Sequence, residues 1–315
     1  SFPTRRSSDL VFSDGVPLTA RDVKFTFDKA KDPTVDAPQL RSYLVDLTSV
    51  EIPDDYTAVF TCAKPYFKNL SVFGEMQIIP EHIYGIGDFN NHPNNRNPIG
   101  SGAYTLEKWE TGREVVLVRN PKYWAADDDN NRPYFDRIIY SIITDDNASF
   151  QLLMRGDLDA RSLAPEEWVR RADTPKFKER FNRLTFNLPA YNYIGWNMRK
   201  PQFSDKQVRK ALAMLMDRES IRAKIYMGLA TVISHGFMPG SPEYNENLKP
   251  LPFDPVEAGK LLDNAGWKDN DGDGLRDKDG APFRFDVSTT NQNPMAEQVL
   301  TGYKEELART GIELN

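Results

Sequence analysis

Apolar residues recur along the chain at two spacings, and stretches with one spacing alternate with stretches of the other. After Thr19, a residue type that often caps helices, Val23 and Phe27 follow at the spacing of one helical face. Residues 50–61 and 103–120 instead alternate between apolar and polar side chains, which predicts two β-hairpins. Helices that alternate with strands are typical of an α/β fold.

The same alternation continues through the second half of the chain. Helices are predicted at residues 148–155, 204–215, 219–227, 254–265 and 295–310, and strands at residues 137–143, 193–198, 282–287 and 311–315. Ser204 is the predicted N-cap of the helix at 204–215. The last predicted strand reaches the final residue, so we expect the natural chain to continue beyond Asn315.

Three motifs occur in order along the chain. They are residues 12–23 (FSDGVPLTARDV), 97–104 (NPIGSGAY) and 203–212 (FSDKQVRKAL). In this order and at this spacing, from residue 11 onward, the chain resembles the extracellular solute-binding proteins of peptide and nickel ABC importers, the oligopeptide- and dipeptide-binding family (solute-binding family 5). The resemblance implies a type II, two-lobed periplasmic-binding-protein-like α/β fold with an extra small subdomain, truncated at both ends.

The resemblance also implies a domain organisation. Residues 11–96 correspond to the small subdomain of lobe I, residues 97–237 to the main part of lobe I, and residues 238–315 to an incomplete start of lobe II. Residues 1–10 have no apolar signal-peptide region and no helical or strand period. We expect these ten residues to be a non-native leader.

The composition limits the classes of function. Hydrophobic residues make up 39% of the chain and charged residues 27%, and no run of about 18 apolar residues could span a membrane. The net charge of −6 argues against a nucleic-acid partner. Cys62 is the only cysteine, so the chain has no disulfide framework or thiolate metal site of its own.

The resemblance implies a role in bacterial solute import. Members of this family capture di- and oligopeptides outside the cytoplasmic membrane and deliver them to an ABC permease. The expected partners are therefore a peptide and that permease, and the expected location is the periplasm or a lipid anchor outside the membrane. The same fold also binds nickel complexes and sugars, and the fold alone does not choose among these ligands.

An enzyme is not expected. The chain has no Gly-x-Ser-x-Gly elbow and no recognisable nucleophile–base pair. A secreted hydrolase fragment and a calcium-stabilised adhesion module are the remaining alternatives.

Candidate ligand-binding residues lie in two stretches. Tyr193, Trp196 and Asn197 belong to the predicted strand 193–198, which the resemblance places beside the cleft of lobe I. Tyr193 and Trp196 have opposite parity, so in a regular strand only one of them faces the cleft. We expect Tyr193 to be the residue that faces the cleft, because its hydroxyl can serve a polar ligand. For each aromatic residue, both a core position and a ligand wall remain open.

The other candidates, His235 and Phe237, lie in a glycine-containing segment that the resemblance places at the crossing to lobe II. A hinge at this crossing is expected to take up the backbone rotation when the lobes close.

An acidic stretch after the helix at 254–265 resembles a calcium loop. Asp269, Asp271 and Asp273 match the first, third and fifth ligand positions of an EF-hand, and Asp277 matches the ninth. Gly280 stands at the twelfth position, where a bidentate glutamate is usual. A solvated turn and a weakly bound structural calcium ion are therefore both open, and no other cofactor is expected.

Overall fold

The computed structural model describes residues 10–188, 190–290 and 293–315. Residues 1–9, most of the predicted leader, lie outside the described residues. The chain divides into two compact units, the first ending at Gln151 and the second running from Leu152 to Asn315. The predicted boundaries at residues 96 and 237 stay predictions.

The first unit is built from short helices and two antiparallel sheets. Its elements are α1 (Ala20–Lys31), α2 (Pro38–Tyr43), β1 (Leu47–Asp54), β2 (Thr57–Cys62), α3 (Asn69–Glu75), α4 (Glu81–Tyr84), a 3₁₀ turn (Pro93–Arg96), β3 (Tyr104–Glu110), β4 (Glu114–Arg119) and β5 (Arg137–Ser141). Strands β1 and β2 form one antiparallel hairpin, and β3, β4 and β5 form a three-stranded antiparallel sheet. Both predicted hairpins are confirmed.

Helix α1 begins where the sequence predicts. The Thr19 side chain accepts a hydrogen bond at the helix start, and the Asp22 carboxylate accepts one from the Thr19 backbone N–H, which completes a capping box. The apolar face of α1 packs on β1 and β2 and buries Phe27 completely. Phe60 of β2 and Phe73 of α3 meet Phe27 edge-on, so these elements share one small core.

The second unit contains more helix than strand. Helix α5 (Asp146–Arg155) contains the boundary between the units and ends at Gly156, whose φ is +91°. The elements that follow are a π-helix (Glu167–Arg171), α6 (Pro175–Lys178), α7 (Pro201–Ser204), α8 (Lys206–Met214), α9 (Arg218–Ser220), a π-helix (Ile221–Ile225), α10 (Pro255–Asn264), β6 (Asp277–Lys278), β7 (Ala281–Pro282), β8 (Arg284–Phe285), α11 (Pro294–Arg309) and β9 (Glu313–Leu314).

One hydrophobic core joins α8, α10, α11 and strands β8 and β9. Leu212, Leu262 and Leu307 are fully buried there, one on each of the three helices. The Tyr303 hydroxyl donates to the Leu212 carbonyl at 2.8 Å, which satisfies a polar group inside this core. Burial raises the pKa of Tyr303 far above its ordinary value, so this residue stays a neutral donor.

Three local predictions for the second unit are wrong. Asp205, not Ser204, is the N-cap of α8, because the Asp205 carboxylate accepts the Gln207 N–H while the Ser204 hydroxyl donates to the Pro201 carbonyl. The single strand predicted at 282–287 is two short strands. Of these, β7 pairs antiparallel with β6, whereas β8 pairs parallel with β9.

The third difference concerns residues 193–198, which belong to no β-ladder among the described residues and end in a turn at Met198. The alternation of their side chains is real, but a strand is defined by hydrogen bonds to a neighbour. In the described ranges, no helix combines the length and apolar composition that a membrane span needs.

Candidate functional site

The predicted ligand strand lies in the second unit as a largely exposed segment outside regular secondary structure. Within the described part of the chain, residues 190–196 make no backbone–backbone hydrogen bond. Tyr193 is 78% exposed, and the Tyr191 ring lies 5.7 Å from it, centroid to centroid. The segment therefore presents aromatic rings, and its main-chain N–H and C=O groups are not paired with the backbone of any described residue.

Trp196 turns the other way, towards the core of its own unit. Its ring lies 5.1 Å from Phe203 and 5.8 Å from Phe285, measured between centroids. The next residue, Asn197, uses its side-chain oxygen to accept the Arg199 N–H at 3.2 Å. Of the three candidates on this segment, Tyr193 and Asn197 are exposed, and Tyr193 is the aromatic one that is not packed against the core.

His235 and Phe237 lie on a loop that is tied together by its own hydrogen bonds. The His235 Nε2 accepts the Asn245 N–H at 3.2 Å, and the His235 ring lies 4.4 Å from Tyr244. The Ser234 hydroxyl donates to the Leu248 carbonyl at 2.7 Å. These contacts fix the histidine, while the Phe237 ring stays 57% exposed.

Gly236, in this loop, is in close contact with the side chain of Tyr191 from the segment 190–196. A Cβ built at Gly236 would lie 2.9 Å from the Tyr191 hydroxyl and 3.0 Å from its ring, so a larger residue here would require the Tyr191 ring to shift. Through Tyr191, the structure brings Tyr193 and the His235–Phe237 loop to one surface, which we call the aromatic face (Tyr191, Tyr193, His235, Phe237). Tyr191 and Tyr244 were not among the predicted site residues, because their roles depend on contacts between distant segments.

The acidic loop is a separate feature of the second unit. One carboxylate oxygen from each of Asp269, Asp271 and Asp273 lies within 4.8 Å of the others, a spread that ions with Ca–O bonds of about 2.4 Å can bridge. The Asp277 carboxylate instead accepts hydrogen bonds from the backbone and side-chain N–H groups of Asn270.

Most of the acidic loop's carboxylates also serve the loop itself. Asp269 accepts the N–H groups of Gly272 and Gly274, and Asp273 accepts that of Leu275. Gly272 and Gly274 both have positive φ angles, 78° and 89°, which the tight turn requires. The turn is thus held by backbone hydrogen bonds as well as being rich in oxygen ligands.

Residues 8–315 match the family of bacterial extracellular solute-binding proteins, family 5 Middle. The chain belongs to this family. The chain is 34% identical to the oligopeptide-binding protein AppA of Bacillus subtilis, in an alignment that covers 96% of this chain and 55% of AppA. Protein XP55 of Streptomyces lividans is 29% identical over 96% of this chain and 53% of its own length. The chain therefore spans about half the length of these relatives.

Solved structures of this family match the fold. AppA from Bacillus subtilis, in complex with a nonapeptide, has a TM-score of 0.79 at 31% identity and is covered to 60% by this chain. NikZ from Campylobacter jejuni, in complex with Ni(L-His), has a TM-score of 0.83 at 26% identity and is also covered to 60%. These likenesses confirm the predicted two-lobed α/β fold of periplasmic binding proteins.

Proposed function

We propose that this protein is part of the substrate-binding component of an ABC importer, and that its ligand is an oligopeptide. The observation that carries the proposal is the 34% identity to the oligopeptide-binding protein AppA over 96% of this chain. The proposal includes delivery of the peptide to a membrane permease and a location outside the cytoplasmic membrane, periplasmic or lipid-anchored.

The aromatic face offers what a peptide of variable sequence needs. A peptide shares its main chain with every other peptide, so a binding site that accepts many sequences should offer backbone donors and acceptors. Residues 190–196 offer such groups, since they make no backbone–backbone hydrogen bond to the described residues. Tyr191 and Tyr193 add rings that can cover side chains of any type.

The proposal assigns binding and not catalysis. The family is one of solute-binding proteins, and none of the side chains on the aromatic face is arranged as a nucleophile with a general base. His235, the one candidate base there, has its Nε2 engaged by the Asn245 N–H.

Isothermal titration calorimetry tests the ligand class. Because the chain spans about half the length of its curated relatives, the titration uses both residues 1–315 and a protein of the relatives' full length. We expect the full-length protein to bind peptides of two to nine residues, and residues 1–315 to bind them more weakly, since ligands of such proteins are covered from more than one side. Binding of Ni(II)–histidine or of an oligosaccharide, with no binding of peptides, would favour the nickel or sugar alternative.

A matched pair of variants locates the site. Tyr193→Ala in the full-length protein is expected to weaken peptide binding by about tenfold or more, since a ring that stacks on a ligand contributes about 1–3 kcal/mol. Tyr140, 57% exposed on β5 of the first unit, provides the control, and Tyr140→Ala is expected to bind peptide like the unmodified protein. Equal affinities of the two variants would remove Tyr193 from the site.

A further inference from the structure

A short loop of the first unit exposes apolar side chains to an unusual degree. It consists of residues 64–70 (KPYFKNL), between β2 and the first turn of α3, and we call it the PYF loop. Phe67 is 85% exposed and Leu70 is 81% exposed. Val45, 80% exposed, lies beside the start of this loop, because the Ala63 N–H donates to the Asp46 carbonyl and extends the β1–β2 pairing. Apolar side chains exposed this far and grouped together are typical of an interaction surface.

The PYF loop is held firmly by the structure beneath it. The Asn69 N–H donates to the Tyr66 carbonyl at 3.0 Å, and the Val72 N–H donates to the Lys68 carbonyl at 2.9 Å. Val72 and Phe73, in the next turn, pack against the core that contains Phe27. Phe67 and Leu70 are therefore presented outward by an anchored turn and have no place in that core.

The charge of the PYF loop is positive, although the protein as a whole is negative. From Tyr56 to Gly74 the sequence contains Lys64 and Lys68 and no aspartate or glutamate, whereas the net charge of the chain is −6. Both lysines are exposed, and the Lys68 Nζ lies 5.7 Å from the Phe67 ring centroid. Lys64 and Lys68 thus flank Tyr66 and Phe67 in the sequence, and Leu70 follows the second lysine.

We infer that the PYF loop docks on an anionic phospholipid surface. Exposed Phe and Leu side chains can enter the boundary between headgroups and acyl chains, and Tyr is well suited to the headgroup level. Lysines next to such a tip are attracted by anionic headgroups. Charge complementarity selects this partner, since a neutral surface would leave Lys64 and Lys68 without a role.

Docking of this kind is independent of the peptide site. It involves a loop of the first unit, whereas the aromatic face lies in the second. Failure of the vesicle experiment below would therefore leave the peptide proposal untouched, and the reverse also holds.

The chain supplies its own control for the apolar tip. Residues 133–135 repeat the tripeptide Pro-Tyr-Phe, and Phe135 is 67% exposed. In this second copy an aspartate, Asp136, follows the tripeptide directly, and Arg119 forms an ion pair with Asp136 at 3.0 Å. The two copies thus share the tripeptide and a cation before it, Lys64 or Arg132, and differ in the residue that follows, Lys68 or Asp136.

Vesicle flotation tests the inference on the full-length protein and on residues 1–315. The vesicles contain phosphatidylcholine alone or phosphatidylcholine with phosphatidylglycerol, at low and at high salt. We expect binding to the anionic vesicles only, with a loss at high salt because the Debye length shortens. Phe67→Ser with Leu70→Ser should weaken binding at least tenfold, each of Lys64→Gln and Lys68→Gln about fivefold, and Phe135→Ser not at all.

Four results would overturn the inference. The first is no binding to anionic vesicles, and the second is equal binding to neutral vesicles. The third is an equal loss with Phe135→Ser, which would make the binding unspecific. The fourth is binding that appears only when vesicles carry the importer's permease, which would assign the loop to a protein partner instead. Circular dichroism and the melting temperature of each variant confirm that it is folded, which is expected because the changed side chains are exposed.

Discussion

The His82 Nε2 lies 2.7 Å from the Asp14 Oδ2, and this contact joins parts of the chain that are 68 residues apart. Asp14 belongs to the turn between Val11 and Pro17, which are linked by a β-bridge, and His82 lies in the four-residue helix α4. The His82 ring also packs 5.7 Å from the fully buried Phe12 ring, measured between centroids. The contact therefore fixes the N-terminal turn against the body of the first unit.

This contact predicts a pH-dependent stability. Partial burial raises the pKa of Asp14, but hydrogen bonds from His82 and the Val16 N–H and the nearby positive charge of Lys122 outweigh it, so the pKa lies below its ordinary value. A carboxyl group with a lowered pKa stabilises the fold above about pH 4, and this contribution disappears as the pH falls through the folded-state pKa. Asp14→Asn should therefore reduce the free energy of unfolding at pH 7 by about 1 kcal/mol, and by much less at pH 3.

A double-mutant cycle with His82→Gln checks that the effect belongs to this pair. Urea unfolding of the two single variants and the double variant at pH 7 should give a coupling energy of about 0.5–1 kcal/mol. Asp28, on the exposed side of α1, serves as a carboxylate control, and Asp28→Asn should change little at either pH. A constant effect of Asp14→Asn between pH 7 and pH 3 would contradict the assignment.

Replacing Asp22 is expected to cost more stability than replacing Asp14, and this loss does not depend on a change of pH. Asp22 is 5% exposed, and its carboxylate accepts hydrogen bonds from the backbone N–H groups of Thr19 and Glu81, both at 2.9 Å. Replacement by alanine leaves both N–H groups without this partner and removes a negative charge from the start of α1. Asp22→Ala is expected to lower the free energy of unfolding by about 2–4 kcal/mol in urea titrations.

A Thr19 variant distinguishes the two roles of Asp22, which are the capping box with Thr19 and the hydrogen bond from the Glu81 N–H. Thr19→Ala removes the side-chain half of the capping box but keeps the bond from the Glu81 N–H to Asp22. The expected loss is about 1 kcal/mol, so it should be clearly smaller than that of Asp22→Ala. If the two variants were equally destabilised, the link to Glu81 would contribute nothing measurable.

Trp196 and Tyr193 are expected to behave differently although they are three residues apart. Trp196 packs against Phe203 and Phe285, so Trp196→Ala should lower the free energy of unfolding by about 3 kcal/mol. Tyr193 is 78% exposed, and Tyr193→Ala should cost less than 1 kcal/mol. Thermal unfolding of both variants measures the difference, and equal losses would mean that residues 193–196 are buried on both faces in solution.

Local features of the fold could be predicted because their causes lie within a few residues. The cap at Thr19, the start of the helix at residue 254 and the end of the helix at residue 155 all depend on near neighbours, and all are confirmed. The two hairpins were predictable for the same reason. The cap at Ser204 failed because Asp205, one residue later, offered an equally good acceptor.

The features that could not be predicted depend on contacts between distant segments. The hydrogen bonds from the Glu81 N–H to Asp22 and from His82 to Asp14 join residues that are 59 and 68 positions apart in the sequence. No hydrophobic periodicity predicts such pairs. The approach of Tyr191 to Gly236 is of the same kind. Sequence parity could separate Tyr193 from Trp196, but it could not say which of them packs on Phe285, because that depends on the folded core.

If the acidic loop binds calcium rather than forming a solvated turn, the ion is expected to stabilise the protein weakly. Asp269, Asp271 and Asp273 can share one ion, whereas Asp277 is bonded to Asn270 and Gly280 stands where a bidentate ligand is usual. These losses favour a dissociation constant of about 10⁻⁴–10⁻³ M. At about ten times such a constant, calcium adds about 1.4 kcal/mol to the free energy of unfolding. For a chain of this size, that corresponds to a rise of about 2 °C in the melting temperature.

Differential scanning calorimetry in chelator and in millimolar calcium measures this rise. Asp271→Asn should abolish it, because the change removes a charged ligand while keeping an oxygen in place to accept the Asp273 N–H. Asp279, which lies outside the group of three, provides the control, and Asp279→Asn should keep the full rise since that residue also tolerates the positive φ of 51° as asparagine. An unchanged melting temperature in the unmodified protein would instead identify a solvated turn, in which the backbone N–H groups of Gly272, Gly274 and Leu275 suffice to hold the carboxylates.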